Sequence, residues 1–317
     1  MKILLTDYQT IHSGGDISPD IFKKYGDLVV YDNIRREELL KEIEYTDIVL
    51  LNKTVIDKEV FEKAKKLKYI GLFATGFNNI DIETAKTRGI PVCNAGIYST
   101  NAVAQQVIAY ILMHYTKIDR YNEFVSSGKW INYPIFSALQ FTGDEVYGKT
   151  LGIVGYGSIG KAVKKAAEGL GMRVIVNTRT IREDGETEFV DFDTLLKTSD
   201  IISLHCPLNE QSADMMNADA FKKCKDGAFF VNTSRGGTVD EYALREALDS
   251  GKLSGAAVDV VKNEPMSADC PLYGAKNIII TPHTAWAPLA TRKRLIGIVC
   301  ENIEAFLGGK TKNNVAI

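Results

Sequence analysis

"LGIVGYGSIGKAV", residues 151–163, sets Gly155, Gly157 and Gly160 in a G-x-G-x-x-G spacing between an apolar run and a helix-favouring one. The three glycines answer different demands: a tight turn, close approach of a pyrophosphate to the backbone, and close packing of helix on strand. The helix start that follows offers unpaired N–H groups and the positive end of a dipole to phosphate. Such a spacing carries weight only inside a strand–turn–helix–strand unit. The chain supplies one: "TLGIVGY" (150–156) leads into the turn and "RVIVNT" (173–178) follows the helix.

Working toward the C-terminus, apolar runs recur as "IISLHC" (201–206), "AFFVNTS" (228–234), "GAAVDV" (255–260) and "NIIITP" (277–282). Their starts lie 22–28 residues apart, the length of one strand plus one helix. With the first two they give six strands, a full doubly wound sheet. Toward the N-terminus, "KILLTDY" (2–8), "LVVYD" (28–32), "DIVLLN" (47–52), "YIGLFA" (69–74) and "PVCNA" (91–95) alternate with charged, helix-favouring stretches such as 35–45 and 57–67. Short Val/Ile/Leu-rich runs of this kind suit parallel strands buried on both faces. The expected fold class is therefore α/β, with two parallel-sheet domains of unequal size. Between them, residues 99–118 form a helix that is apolar on nearly every side. It reads as buried, and as a surface where a second subunit could meet the first. A last helix, 291–307, is amphipathic through Leu295, Ile298, Val299, Ile303 and Phe306.

Composition narrows the function classes. The 317 residues suit about two domains, and a formal charge of -2 gives no reason to expect nucleic acid or an anionic membrane as partner. No apolar run approaches the roughly 18 residues of a spanning helix. Asp7 makes the opening segment a strand rather than a signal peptide. Five scattered cysteines without a CxxC point to reduced thiols, a cytoplasmic protein and no metal site.

The strand after the glycine turn ends at Thr178, where an acid would bond the adenosine ribose; Arg179 follows, and Arg182 lies three further on. A carboxylate would repel a ribose 2′-phosphate, whereas a hydroxyl beside a guanidinium accommodates one. This favours NADP or use of both cofactors; in the other reading Thr178 bonds an NAD ribose and Arg179 is solvated.

Three later strand ends carry polar groups: Arg235 in "VNTSRGGTVDE" (231–241), Asp259 and Glu264 in "AVDVVKNEP" (257–265), and His283 in "TPHTAW" (281–286). Ligands of open α/β sheets bind beyond the carboxyl ends of the strands. A guanidinium grips a carboxylate with two hydrogen bonds, a histidine gives or takes a proton near neutral pH, and a glutamate bonded to it orients the ring and favours imidazolium. Such a set serves hydride transfer to a 2-keto acid.

The chain resembles the D-isomer-specific 2-hydroxyacid dehydrogenases over essentially its whole length. The residues that carry the likeness are "LGIVGYGSIG", "TSDIISLHCPL" (198–208), "FFVNTSRGGTVDE", "AVDVVKNEP", "TPHTAW" and "FATGFNNID" (73–81). "LLNKT" (50–54) and "TNAVAQQV" (100–107) bring it nearest to the glycerate dehydrogenases, also called hydroxypyruvate reductases. The resemblance implies a Rossmann-type cofactor domain, residues 99–287, inserted in a smaller flavodoxin-like substrate domain, residues 1–98 and 288–317. It implies that Arg235 binds the substrate carboxylate, His283 is the acid/base and Glu264 supports it. Asp259 would hold the nicotinamide carboxamide. Ser158, Ile159, Cys206, Thr233, Ser234 and Thr75 would line the cofactor with the glycine turn, and backbone N–H groups of Thr75 and Gly76 would meet the substrate. Asn52 and Lys53, at a strand end, are candidates for a substrate hydroxyl or carboxylate, with a solvated Lys53 as the alternative. A homodimer is expected. D-lactate or glyoxylate reduction is the alternative within the family, and a non-catalytic dinucleotide-sensing interaction protein the alternative outside it.

Overall fold

The computed structural model describes residues 1–181 and 185–317. Two compact units emerge: Met1–Ser99 with Ala287–Ile317, and Thr100–Trp286.

The first unit is built on five parallel strands: β1 (Lys2–Leu5), β2 (Asp27–Val30), β3 (Ile48–Leu51), β4 (Tyr69–Leu72) and β5 (Val92–Cys93). Their order is β2-β1-β3-β4-β5, the flavodoxin-like arrangement. Every residue of β3 and β4 is buried, as apolar runs in a sheet covered on both faces should be. Helices α1 (Arg36–Glu42), α2 (Lys58–Lys63) and α3 (Ile82–Thr87) connect the strands. Asp57 and Asp81 cap the last two by accepting from Val60 N and Thr84 N.

The second unit opens with α4 (Thr100–Thr116) and α5 (Ile118–Ser126). The helix expected over 99–118 is α4, which ends at Thr116; Lys117, with a left-handed φ of 56°, separates it from α5. The sheet has seven strands rather than six: β6 (Thr150–Val154), β7 (Arg173–Asn177), β8 (Glu188–Phe189), β9 (Ile201–Leu204), β10 (Ala228–Asn232), β11 (Leu253–Val258) and β12 (Ile278–Ile280). The strand the periodicity missed is β8, two residues at the sheet edge, too short to show an alternating pattern. It is held by pairing with β7 and by Phe189 against the Tyr156 ring at 5.8 Å. The order β12-β11-β10-β9-β6-β7-β8 is the Rossmann order 3-2-1-4-5-6 with one strand added beyond the sixth. Helices α6 (Ser158–Gly169), α7 (Phe192–Thr198), α8 (Ala218–Lys223) and α9 (Glu241–Asp249) cover it, and α4 packs on α6. The final helix, α10 (Leu289–Leu307), lies in the first unit against β4. Among the described residues no helix is long and apolar enough to cross a membrane.

Candidate active site

The glycine turn joins β6 to α6, and its three glycines prove unequal. Gly155 has φ 96°, and a Cβ there would come within 2.7 Å of the Cys206 backbone N. A Cβ on Gly160 would overlap the Gly155 carbonyl, so the third glycine lets helix pack on strand. Gly157 differs: its φ is -80° and a Cβ would meet nothing within 4 Å. Neither backbone strain nor packing requires glycine at 157, which leaves the approach of a ligand as its reason. The α6 N-terminus begins at Ser158 and Gly157 lends it no side-chain cap, so its first N–H groups are left for an anion. Ile159 is half-buried against the core between sheet and α4.

Around this turn lies a cleft of about 570 Å³, with walls that include Tyr156, Lys161, Thr178, Arg179, His205 and Cys206. Among the described residues its lining contains no carboxylate. Among the described residues the exposed Arg179 side chain finds no ion pair or hydrogen bond, and the Lys161 side chain finds only a contact over the Tyr156 ring at 5.5 Å. Two cations with no carboxylate partner among the described residues suit phosphate. Lys161 escaped the sequence reading although it stands directly after Gly160. Arg182 lies outside the described residues. On the far wall His205 is half-buried and paired with Ser203 Oγ at 2.9 Å; burial pushes its pKa down to about 4, so it is a neutral packing group.

The other candidates follow the ends of three adjacent parallel strands. Asn232, Val258 and Ile280 stand in register across β10, β11 and β12, so Arg235, Asp259 and His283 emerge at one edge. Arg235 is exposed; its guanidinium donates to the Ser234 carbonyl at 2.7 Å and, among the described residues, to no carboxylate. Ser234 bonds Asn232 Oδ1 through its N–H (2.9 Å) and hydroxyl (2.8 Å), and the Thr233 hydroxyl is buried without a partner. A Cβ on Gly236 would overlap the Val261 carbonyl, so the loop after β10 touches the loop after β11 through a position only glycine fills. Val261 N in turn donates to Glu264 Oε1 at 3.2 Å. Glu264 Oε2 stands 2.7 Å from His283 Nδ1. The carboxylate therefore selects the tautomer with Nδ1 protonated and presents Nε2 for proton exchange.

His283 sits at φ 54°, a conformation uncommon for residues other than glycine. Its N–H donates to the Asp259 carbonyl at 2.8 Å. The Asp259 carboxylate, 2% exposed, accepts from Thr284 N and Ala285 N, each at 2.9 Å, and from the Thr281 hydroxyl. Burial raises its pKa against the pull of these donors. So Asp259, expected at the nicotinamide, is already engaged in bracing the His283 turn.

In the first unit, Asn52 and Lys53 follow β3. Their backbone N–H groups, with that of Thr54, donate to the buried Asp7 carboxylate at 2.6–3.1 Å. Those N–H groups are consumed; the Asn52 Nδ2 is buried with no partner among the described residues, and Lys53 is exposed. Thr75 and Gly76 behave oppositely. The Thr75 hydroxyl donates to the Gly96 carbonyl at 2.6 Å, while the N–H groups of both residues donate to nothing among the described residues. Among the described residues there is no group of three His, Cys, Asp or Glu that could hold a metal.

The chain is similar to known proteins over most of its length. The profile of the D-isomer specific 2-hydroxyacid dehydrogenase NAD binding domain matches residues 108–285. A hydroxypyruvate reductase of Blautia hydrogenotrophica is 40% identical over 99% of both chains. A glyoxylate reductase of Thermococcus litoralis is 40% identical over 88% of this chain and 86% of its own. Among solved structures, an acyclic imino acid reductase in complex with NADPH and D-Arg superposes with TM-score 0.86 at 32% identity, covering 99% of this chain and 100% of its own. The chain belongs to the D-isomer specific 2-hydroxyacid dehydrogenase family.

Proposed function

We propose that this NAD(P)-dependent D-2-hydroxyacid dehydrogenase reduces hydroxypyruvate to D-glycerate. The observation that carries the chemistry is the His283–Glu264 pair at 2.7 Å, braced at a strand end shared with Arg235. The substrate follows the full-length likeness to a hydroxypyruvate reductase.

NAD or NADP, held at Gly155, Gly157, Ser158, Ile159 and Gly160, supplies the hydride when bound. Everything else falls to the protein. Arg235 takes the substrate carboxylate in a two-bond grip. Protonated His283 gives its Nε2 proton to the keto oxygen as charge builds there, and Glu264 steadies the imidazolium. Within the first unit, the N–H groups of Thr75 and Gly76 and the Asn52 carboxamide are the candidates for substrate contacts. Thr178 and Arg179, with Lys161, receive a ribose 2′-phosphate, which makes NADPH the better donor. In this reading Met1–Ser99 with Ala287–Ile317 is the substrate unit and Thr100–Trp286 the cofactor unit.

The protein acts as a homodimer. The sequence pointed to 99–118 as the meeting surface, but the apolar residues of α4 are largely spent on its own core. Ile131, Ile135, Phe136 and Leu139 are 60–89% exposed and offer the better contact. Light scattering should give a dimer, and Phe136→Asp with Leu139→Asp a monomer.

Initial rates with hydroxypyruvate, glyoxylate and pyruvate test the substrate. A kcat/KM for hydroxypyruvate below that for glyoxylate would replace this reading by the glyoxylate reductase one, which the second relative favours equally by identity.

A further inference from the structure

The helix α4 buries a phenol that the chemistry above leaves unused. Tyr110 is 2% exposed, and its hydroxyl pairs with the Thr281 hydroxyl. Thr281 stands immediately after β12, and its own O–H donates to Asp259 Oδ1. A hydroxyl has one proton to give. With the Thr281 proton committed to the carboxylate, the Tyr110 O–H must donate to Thr281 Oγ1. The two donors thus run in series from α4 to the aspartate.

That aspartate holds the segment 281–285 from both sides. Its carbonyl accepts from His283 N, and its carboxylate accepts from Thr284 N and Ala285 N. His283 lies between these bonds at φ 54°. A left-handed residue other than glycine persists only where its surroundings over-determine it. The imidazole direction toward Glu264 therefore depends on how the carboxylate is turned, and the carboxylate is turned by the Thr281 and Tyr110 hydroxyls. Nothing in the packing alone asks for a hydroxyl at 110, since a phenylalanine ring would fill the same space.

We propose that Tyr110 is a positioning residue: through Thr281 it orients the Asp259 carboxylate that holds the 281–285 turn, and so fixes the His283 imidazole against Glu264. In its catalytic consequence this rests on the assignment of His283 as the proton carrier; in its structural content it does not.

The test uses the full-length enzyme with saturating cofactor. Tyr110→Phe should lower kcat about tenfold, the scale of a small misplacement of a catalytic group, with KM and cofactor Kd within about twofold. Thr281→Val should match it, Thr281→Ser should restore activity, and the Tyr110→Phe/Thr281→Val pair should be no worse than Thr281→Val alone, because the links act in series. Tyr115→Phe, on the same helix, should be silent. Amide hydrogen exchange of Thr284 and Ala285 should quicken at least about tenfold in Tyr110→Phe. Unchanged exchange at those amides overturns the proposal, whatever the kinetics. So does Thr281→Ser as impaired as Thr281→Val, or a loss spread equally over kcat, KM and cofactor Kd. An active His283→Gln, with exchange quickened in Tyr110→Phe, would instead sink the proton-carrier assignment and leave the turn's dependence on Tyr110 intact.

Discussion

Two buried aspartates do the same local work in the two units, and the outcome differs. Asp7, just after β1, gathers the N–H groups of Asn52, Lys53 and Thr54 that follow the neighbouring β3. Asp259, just after β11, gathers those of Thr284 and Ala285 that follow the neighbouring β12. Each carboxylate ties a loop to the adjacent parallel strand and keeps its backbone donors satisfied without water. In the first unit this leaves an ordinary loop with only side chains to offer. In the second, the bonds enclose a histidine in a left-handed conformation and reach on through Thr281 to Tyr110. The same device closes a backbone in one place and aims a functional group in the other.

The largest effect expected is at the aimed group itself. His283→Gln should cost roughly 10²–10⁴-fold in kcat, the worth of a positioned proton transfer. Near-normal hydroxypyruvate reduction by that variant would leave Asp259 with nothing to aim.

Next comes the pair that compares the turns directly. Asp259→Asn and Asp7→Asn each set an amide N–H₂ against backbone donors, and each should destabilise by about 1–3 kcal/mol. Only Asp259→Asn should also lower kcat by an order of magnitude or more. Equal kcat losses at matched stability would erase the distinction between a closing and an aiming carboxylate.

A smaller, selective effect is expected at Arg179. Because its guanidinium has no partner among the described residues, Arg179→Ala should leave stability unchanged and raise KM for NADPH at least about tenfold, with KM for NADH moving little. Parallel rises for both cofactors would remove the 2′-phosphate role.

The weakest discriminator is pH. Burial lowers the pKa of His114 and of His205 to about 4, and both lie in Thr100–Trp286. The unfolded chain takes these protons near 6.5, whereas the folded unit resists them until about 4. Stability of that unit is therefore full above about 6.5 and falls as pH drops toward 4. Trp130 and Trp286 are in the same unit, so tryptophan fluorescence during urea unfolding reads it. The midpoint should fall over that window, and His114→Gln should flatten the slope. A midpoint independent of pH would count against burial as the cause.

Much of this was written in short range. The G-x-G-x-x-G spacing, the recurrence of apolar runs and the strand-end Arg235, Glu264 and His283 are local patterns, because strand and helix periodicities follow from backbone geometry a few residues at a time. The edge strand β8, two residues long, fell below that range. Asp7 was visible only as a charge in the first ten residues, yet it organises a loop 45 residues away.

The sequence by itself determined the α/β class, the dinucleotide turn and which side chains can do the chemistry, since these rest on residue type and near spacing. Only the tertiary structure decided what those side chains are bonded to. Whether Gly157 is glycine for packing or for a ligand, whether the N–H groups at 52–54 are free or spent, and what turns His283 toward Glu264 all depend on atoms brought together from distant parts of the chain. A buried donor or acceptor must find its partner in three dimensions, and no linear pattern records which one it finds.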